Sequence, residues 1–338
     1  MDSAHGYPGA ASRSLRLPIQ RSGEKSKRFW QNVLAVWVKT KLDDPFAHDA
    51  PGPPASALMR AQGTLMKLKP LIKRLLPAKV NESIGNILVQ RRERRLSQLA
   101  IGDAFDEVYR KGMWKQGASH SGQGSEGSLA DRYAEFVIDY ASRNGIRKVV
   151  DGGCGDFSIG SRLAPNFDEY LAFDVSSRII AINKGRYAGL CASGRVTFGV
   201  MDMTSATFPP TELILIRQVL QHLTNGQIQK ILKNIEASKW RRVLITEHVS
   251  HPENNQKPNL DLASHTVRTR VALGSGVFID RPPFNAAANR IAIISGDLPA
   301  GGGSPAKLLV CELTRDGADL PKAEIAGAVA DPESAGTP

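Results

Sequence analysis

The chain has 338 residues, 41% of them hydrophobic and 23% charged, with a formal net charge of +11. This is enough apolar material for one large domain with appendages or for two smaller ones. No run of about 18 apolar residues occurs, which excludes a spanning helix, and three widely separated cysteines (Cys154, Cys191, Cys311) exclude a disulfide framework or a zinc cluster and point to a reducing, cytoplasmic compartment.

The opening MDSAHGYPGAASRSLRLPIQ lacks an apolar centre, which argues against a secretory signal. Residues 1–25 carry Gly, Ser, Ala, Pro and Arg without an apolar period and read as disordered. Residues 26–100 read as a basic helical leader. In it, Phe29, Trp30, Val33, Leu34, Trp37 and Val38 recur at helical spacing over 27–41, and the Pro-rich linker DDPFAHDAPGPPAS follows. A second basic, apolar stretch runs from Leu58 to Leu76, and a third helical pattern, NESIGNILVQRRERRLSQL, has Asn81 as a cap and four arginines around Glu93. Residues 1–100 hold 18 basic and 7 acidic side chains, the whole of the positive excess.

Three readings of this leader stay open. Its helices pack their apolar sides on the body while the Lys and Arg heads stay solvated; they lie on an anionic membrane surface as peripheral contacts; or they grip nucleic-acid phosphates. The order given is the order of preference, because no nucleic-acid fold signature accompanies the charge.

From 101 to 315 apolar runs alternate with helical periods. KVVDGG, YLAFDV, VTFGVMD, ELILIRQV and RRVLITEHV read as strands, with helices from Ser158, over SSRIIAINKGRYAG and over GQIQKILKNIEAS. IAIIS and KLLVCELT, separated by DLPAGGGSPA, suit a late antiparallel hairpin. The expected fold is α/β: a Rossmann-like, doubly wound, mostly parallel seven-stranded sheet with a C-terminal antiparallel hairpin, and a ligand crevice at the carboxyl ends of its strands. The tail, 316–338, reads as disordered.

The chemistry concentrates in KVVDGGCGDFSIGSRL, where a strand delivers Asp151 and then Gly153, Gly155 and Asp156. Glycines there allow unusual backbone angles and let a ligand approach the main chain. Nineteen residues after Gly155, Asp174 closes the next strand, where a carboxylate accepts hydrogen bonds from vicinal ribose hydroxyls. A dinucleotide fingerprint would put a third glycine at Ser158, which counts against that ligand. Asp151 would repel a pyrophosphate and attract an ammonium, which favours S-adenosylmethionine. Cys154 reads as a small residue chosen for fit.

In this order of elements the chain resembles the class I S-adenosylmethionine-dependent methyltransferases over roughly residues 103–314. FDEVYRKGMWKQGASHSGQGS, DGGCGDF, RQVLQHLT and GVFIDRPPFN are together similar to a bacterial subfamily with a W-x-x-G and S-G-x-G-S segment before the glycine loop. The resemblance implies ribose contacts by Asp174, adenine contacts by Asp202 and Met203, and a methionine site beside Arg217 and Gln218. Phe157 departs from the family pattern, which often has a further glycine there.

Methyl transfer from a sulfonium needs an aligned, desolvated and sometimes deprotonated acceptor, with no metal. His222, just past the fourth strand, is the first candidate base, and Glu247 with His248 the second. His248 and His251 with Glu247 form only a weak metal pattern. The serine- and glycine-rich SHSGQGSEGS, with Ser121, is expected to fold over the cleft, with Trp114 and Tyr109 as an apolar wall, and Arg281 on a closing loop to meet an anionic or polyhydroxyl acceptor. No Asn-Pro-Pro-Tyr/Phe segment follows the fourth strand, which lowers the case for a base amine. The expected acceptor is a small-molecule or carbohydrate hydroxyl. The alternatives are an RNA methyltransferase and a non-catalytic S-adenosylmethionine-binding or partner-binding protein.

Overall fold

The computed structural model describes residues 78–115, 119–249, 257–296 and 306–315. The segment 1–25, the expected helices over 27–41 and Leu58–Leu76, His251 and the tail 316–338 lie outside the described residues. The chain divides into two compact units, Met1–Ala78 and Lys79–Pro338. Among the described residues no helix is long and apolar enough to cross a membrane.

The second unit is built on seven strands: β1 (Lys148–Gly152), β2 (Glu169–Asp174), β3 (Val196–Val200), β4 (Leu213–Arg217), β5 (Arg242–Val249), β6 (Asn289–Gly296) and β7 (Ala306–Thr314). They lie in the order β3-β2-β1-β4-β5-β7-β6. The first five pair in parallel, and β7 is antiparallel to both β5 and β6. This is the expected Rossmann-like sheet with its late hairpin. Strand order reverses between β1 and β4, so their carboxyl ends open a crevice where loops diverge to opposite faces.

The period-two pattern of the strands supplies two cores. Leu213 and Leu215 of β4 join one cluster while Ile214 and Ile216 join the other. Among the described residues the helices are α1 (Ala78–Ser97), α2 (Ile101–Arg110), α3 (Gly127–Arg143), α4 (Gly160–Leu163), α5 (Ser177–Arg186), α6 (Ala188–Ala192) and α7 (Asn225–Ala237). On the first face α3 presents Leu129, Tyr133, Val137 and Tyr140, a helical stripe that reads directly from their spacing. On the other, α7 presents Ile228, Ile231 and Ile235, and a Thr224–Gln227 capping box fixes its start.

Two boundaries differ from expectation. Asn81 lies inside α1 and does not cap it. The helix expected from Ser158 is delayed to the four residues Gly160–Leu163, because Phe157 takes φ 61° and its ring fills the space over Gly160, where a Cβ would sit 2.1 Å from Phe157 Cε2.

Candidate functional site

The crevice between β1 and β4 encloses about 880 Å³ of empty space, part of it open to solvent. Its floor is the glycine loop. Gly153 (φ 82°) and Gly155 (φ 56°) occupy the left-handed region, and a Cβ on Gly153 would stand 2.3 Å from Val219 Cγ2. The Asn183 amide donates to Gly155 O at 2.7 Å and pins the loop from α5.

Two buried acids face this space. Asp151 accepts from the Tyr170 hydroxyl at 2.9 Å, and burial raises its pKa from 3.8 to about 7, against the pull of that hydroxyl and of Arg217. Asp174 accepts from the backbone amides of Gly155 at 3.0 Å and Ser176 at 2.9 Å, and burial raises it to about 6. Arg217 reaches from the end of β4, bonds Gly124 O and lies 4.8 Å over the Tyr133 ring; its Nε is buried without a partner. Burial lowers its pKa.

The serine-glycine segment does lie over the cleft, and Asp156 shows how. Its carboxylate accepts from Ser119 Oγ at 2.9 Å and His120 N at 2.6 Å, while its own amide donates to Ser121 Oγ at 2.7 Å. Burial works to raise its pKa, but hydrogen bonds from His120, Ser158 and Ser119 outweigh it and hold the carboxyl below the usual carboxylate value. With Arg217 holding Gly124 on the far side, the loop spans the crevice from β1 to β4. Asp156 and Ser121 both line the cavity, but the Asp156 carboxylate is committed to Ser119 and His120 and the Ser121 hydroxyl to the Asp156 amide.

Met203, Arg217, Gln218, Trp114 and His222 line the cavity; Asp202, Glu247, His248 and Arg281 do not. Asp202 turns its Oδ1 onto Thr204, accepting from the amide at 2.8 Å and the hydroxyl at 2.7 Å. Glu247 turns away from the cleft and accepts from the amides of Val219 (3.1 Å), Leu220 (2.8 Å) and Gln221 (3.2 Å), which fixes the turn carrying His222. Burial raises Glu247 to about 8, countered by those amides and by Arg270. The His248 imidazole is lowered by burial and by Arg217. Arg281 packs over the Phe278 ring at 5.4 Å. Among the described residues no group of three His, Cys, Asp or Glu could hold a metal.

Sequence reasoning missed Phe105, Tyr133 and Val219 as cavity residues. Tyr133 sits in a helical stripe that reads as core, and only the fold turns its ring to Arg217.

His222 is buried, and its Nδ1 lies 3.2 Å from Arg268 O. A carbonyl can only accept, so Nδ1 carries the proton and Nε2 is the basic nitrogen of the neutral ring. Burial lowers its pKa to about 4, against the Arg268 and Thr266 backbone.

The profile of the family described as methyltransferase domain matches residues 149–238. Among solved structures the chain is similar to the N-methyltransferase NodS from Bradyrhizobium japonicum in complex with S-adenosyl-L-homocysteine, with 13% identity, 61% of this chain and 97% of that one covered, and a TM-score of 0.44. It is also similar to magnesium protoporphyrin IX methyltransferase from Synechocystis with bound S-adenosylhomocysteine (12%, 63% and 97%, 0.42) and to the methyltransferase domain of a bacterial Hen1 (18%, 55% and 100%, 0.40). No curated protein matches the sequence. The matched segment contains the glycine loop, both buried acids and His222, and the protein is an S-adenosylmethionine-dependent methyltransferase. The residues present fit that cofactor: two buried acids facing the cleft, an unsatisfied guanidinium nitrogen, and a tight glycine loop with no room for a Cβ.

Proposed function

We propose that the protein methylates a hydroxyl of a small-molecule acceptor, with His222 as the base. The observation that carries this reading is the neutral, buried imidazole on the cavity wall, its Nδ1 proton fixed by Arg268 O and its Nε2 left basic. S-adenosylmethionine supplies a methyl group already activated by positive sulfur. The chain's own work is to hold donor and acceptor in line, exclude water and take up the acceptor's proton.

On this reading Asp174 receives the ribose hydroxyls through the lone pairs its two backbone amides leave free, and Met203 packs against the adenine. Asp151 faces the ammonium, and Arg217 with Gln218 lies along the methionine portion. Asp156 and Ser121 act by closing the loop over these groups. Glu247 holds the turn 219–221 and so acts through His222. A carbohydrate hydroxyl on a lipid-linked intermediate belongs to the same class of acceptor, with the basic leader as its peripheral membrane contact.

An RNA acceptor is the second reading, drawn from exposed Arg91, Arg92 and Arg94 on α1. It requires binding that falls steeply with salt. Incubating the protein with a cell extract and isotope-labelled S-adenosylmethionine, then following label by mass spectrometry, tests the proposal: label is expected on oxygen, and His222→Ala is expected to keep cofactor binding while losing turnover. Label on nitrogen, or turnover retained in that variant, overturns it.

A further inference from the structure

The wall around His222 is made of rings. Phe105 and Tyr109 of α2, Trp114 beyond its end and His222 all line the cavity. The Trp114 ring centre lies 4.9 Å from that of His222 at 36°, 5.6 Å from Phe105, and 5.8 Å from Tyr109 edge-on.

One stretch of backbone consumes the polar edges of two of these rings. Trp114 Nε1 donates to Val267 O at 3.1 Å, and His222 Nδ1 donates to Arg268 O, the next carbonyl. That stretch is itself held: Thr266 N donates to His222 O at 2.9 Å, and the Thr266 hydroxyl bonds Glu93 of α1. Both rings are thereby locked from behind, and both line the cavity.

Such a wall discriminates between hydroxyl compounds. A sugar carries several hydroxyls, and each one buried against ring faces without a partner is unfavourable, whereas a flat ring with a single hydroxyl leaves none stranded. Stacking on a rigid indole adds affinity beyond burial. Narrowing the O-methylation reading, on which this rests, we propose that the acceptor is a planar aromatic hydroxyl compound that stacks on Trp114 and directs its hydroxyl to His222.

The chemistry agrees. The acceptor O–H bond breaks and its proton passes to Nε2; an oxygen electron pair forms the new bond to the methyl carbon, and the pair of the broken carbon–sulfur bond stays on sulfur as a neutral thioether. A phenolic hydroxyl titrates near 10, as tyrosine does, and yields its proton to the weakly basic His222 far more readily than an aliphatic alcohol.

The test is calorimetry on the full chain saturated with S-adenosylhomocysteine, with 1-naphthol and methyl glucoside as probes. The expected result is that 1-naphthol binds at least tenfold more tightly than methyl glucoside, that Trp114→Ala removes this preference, and that Trp114→Phe retains it. Equal binding of the two probes, or an undiminished preference in a folded Trp114→Ala, overturns the proposal. Labelled S-adenosylmethionine separates it from the reading beneath it. Methyl glucoside methylated in a His222-dependent way, with 1-naphthol unbound, refutes the aromatic acceptor and leaves O-methylation standing. Naphthol bound through Trp114, with label accepted only by 1-naphthylamine, supports ring recognition and refutes O-methylation.

Discussion

Asp151 offers a test in which stability and affinity move in opposite directions. Its carboxyl is raised by burial from 3.8 to about 7, so the unfolded chain loses the proton first as pH rises. Stability contributed by the protonated form is therefore full below about pH 4, is lost as pH climbs to about 7, and stays lost above it. At 1.36 kcal/mol per pH unit, the displacement corresponds to about 4 kcal/mol. Asp151→Asn keeps an acceptor for the Tyr170 hydroxyl and abolishes this loss. The ligand-free variant is expected to melt several degrees above the parent at pH 8 and level with it at pH 4. Cofactor affinity is expected to fall, because a charge-assisted hydrogen bond to the ammonium, about 1.5–3 kcal/mol, disappears. That is roughly a ten- to 150-fold weakening for S-adenosylhomocysteine at pH 8 by calorimetry. The parent's affinity should rise more steeply between pH 6 and 8 than the variant's, which keeps only the Asp174 titration near 6. An equally tight variant at pH 8, or a parent indifferent to pH across that window, would refute the assignment of Asp151 to the ammonium.

Phe157 is fully buried and meets Tyr170, Tyr187 and Phe198 edge-on at 5.5, 5.2 and 4.7 Å. Phe157→Ala should lose about 3–5 kcal/mol of stability in urea unfolding, and a loss under 1 kcal/mol would contradict this packing. Glu247→Gln should loosen the turn before His222, since an amide nitrogen cannot accept from backbone N–H. Hydrogen exchange at Val219, Leu220 and Gln221 is expected to quicken at least tenfold; unchanged exchange would remove Glu247 from its positioning role.

The parts of this protein legible in its sequence are those governed by local periodicity. Leu213 to Ile216 are apolar in succession, which marks a strand buried on both faces, and the α3 and α7 stripes mark helices covering them. Gly153, Gly155, Asp151 and Asp174 could be recognised because a tight turn after a strand requires special backbone angles and because acids at strand ends converge when strands are parallel. The orientation of side chains at the same strand ends could not. Glu247 and Arg217 both stand late in neighbouring strands, yet one turns to backbone amides and the other into the cleft.

Partners distant in the chain decided the rest. Ser119 and His120, nearly forty residues earlier in the chain, are brought onto the Asp156 carboxylate, which no local pattern announces. Trp114 and His222 become one wall only because consecutive carbonyls at 267 and 268 hold both rings. A sequence specifies which residues alternate, cap or turn, because those preferences act within a few residues. Which lone pairs remain free, and which ring faces stay open to a ligand, depends on contacts across the sheet.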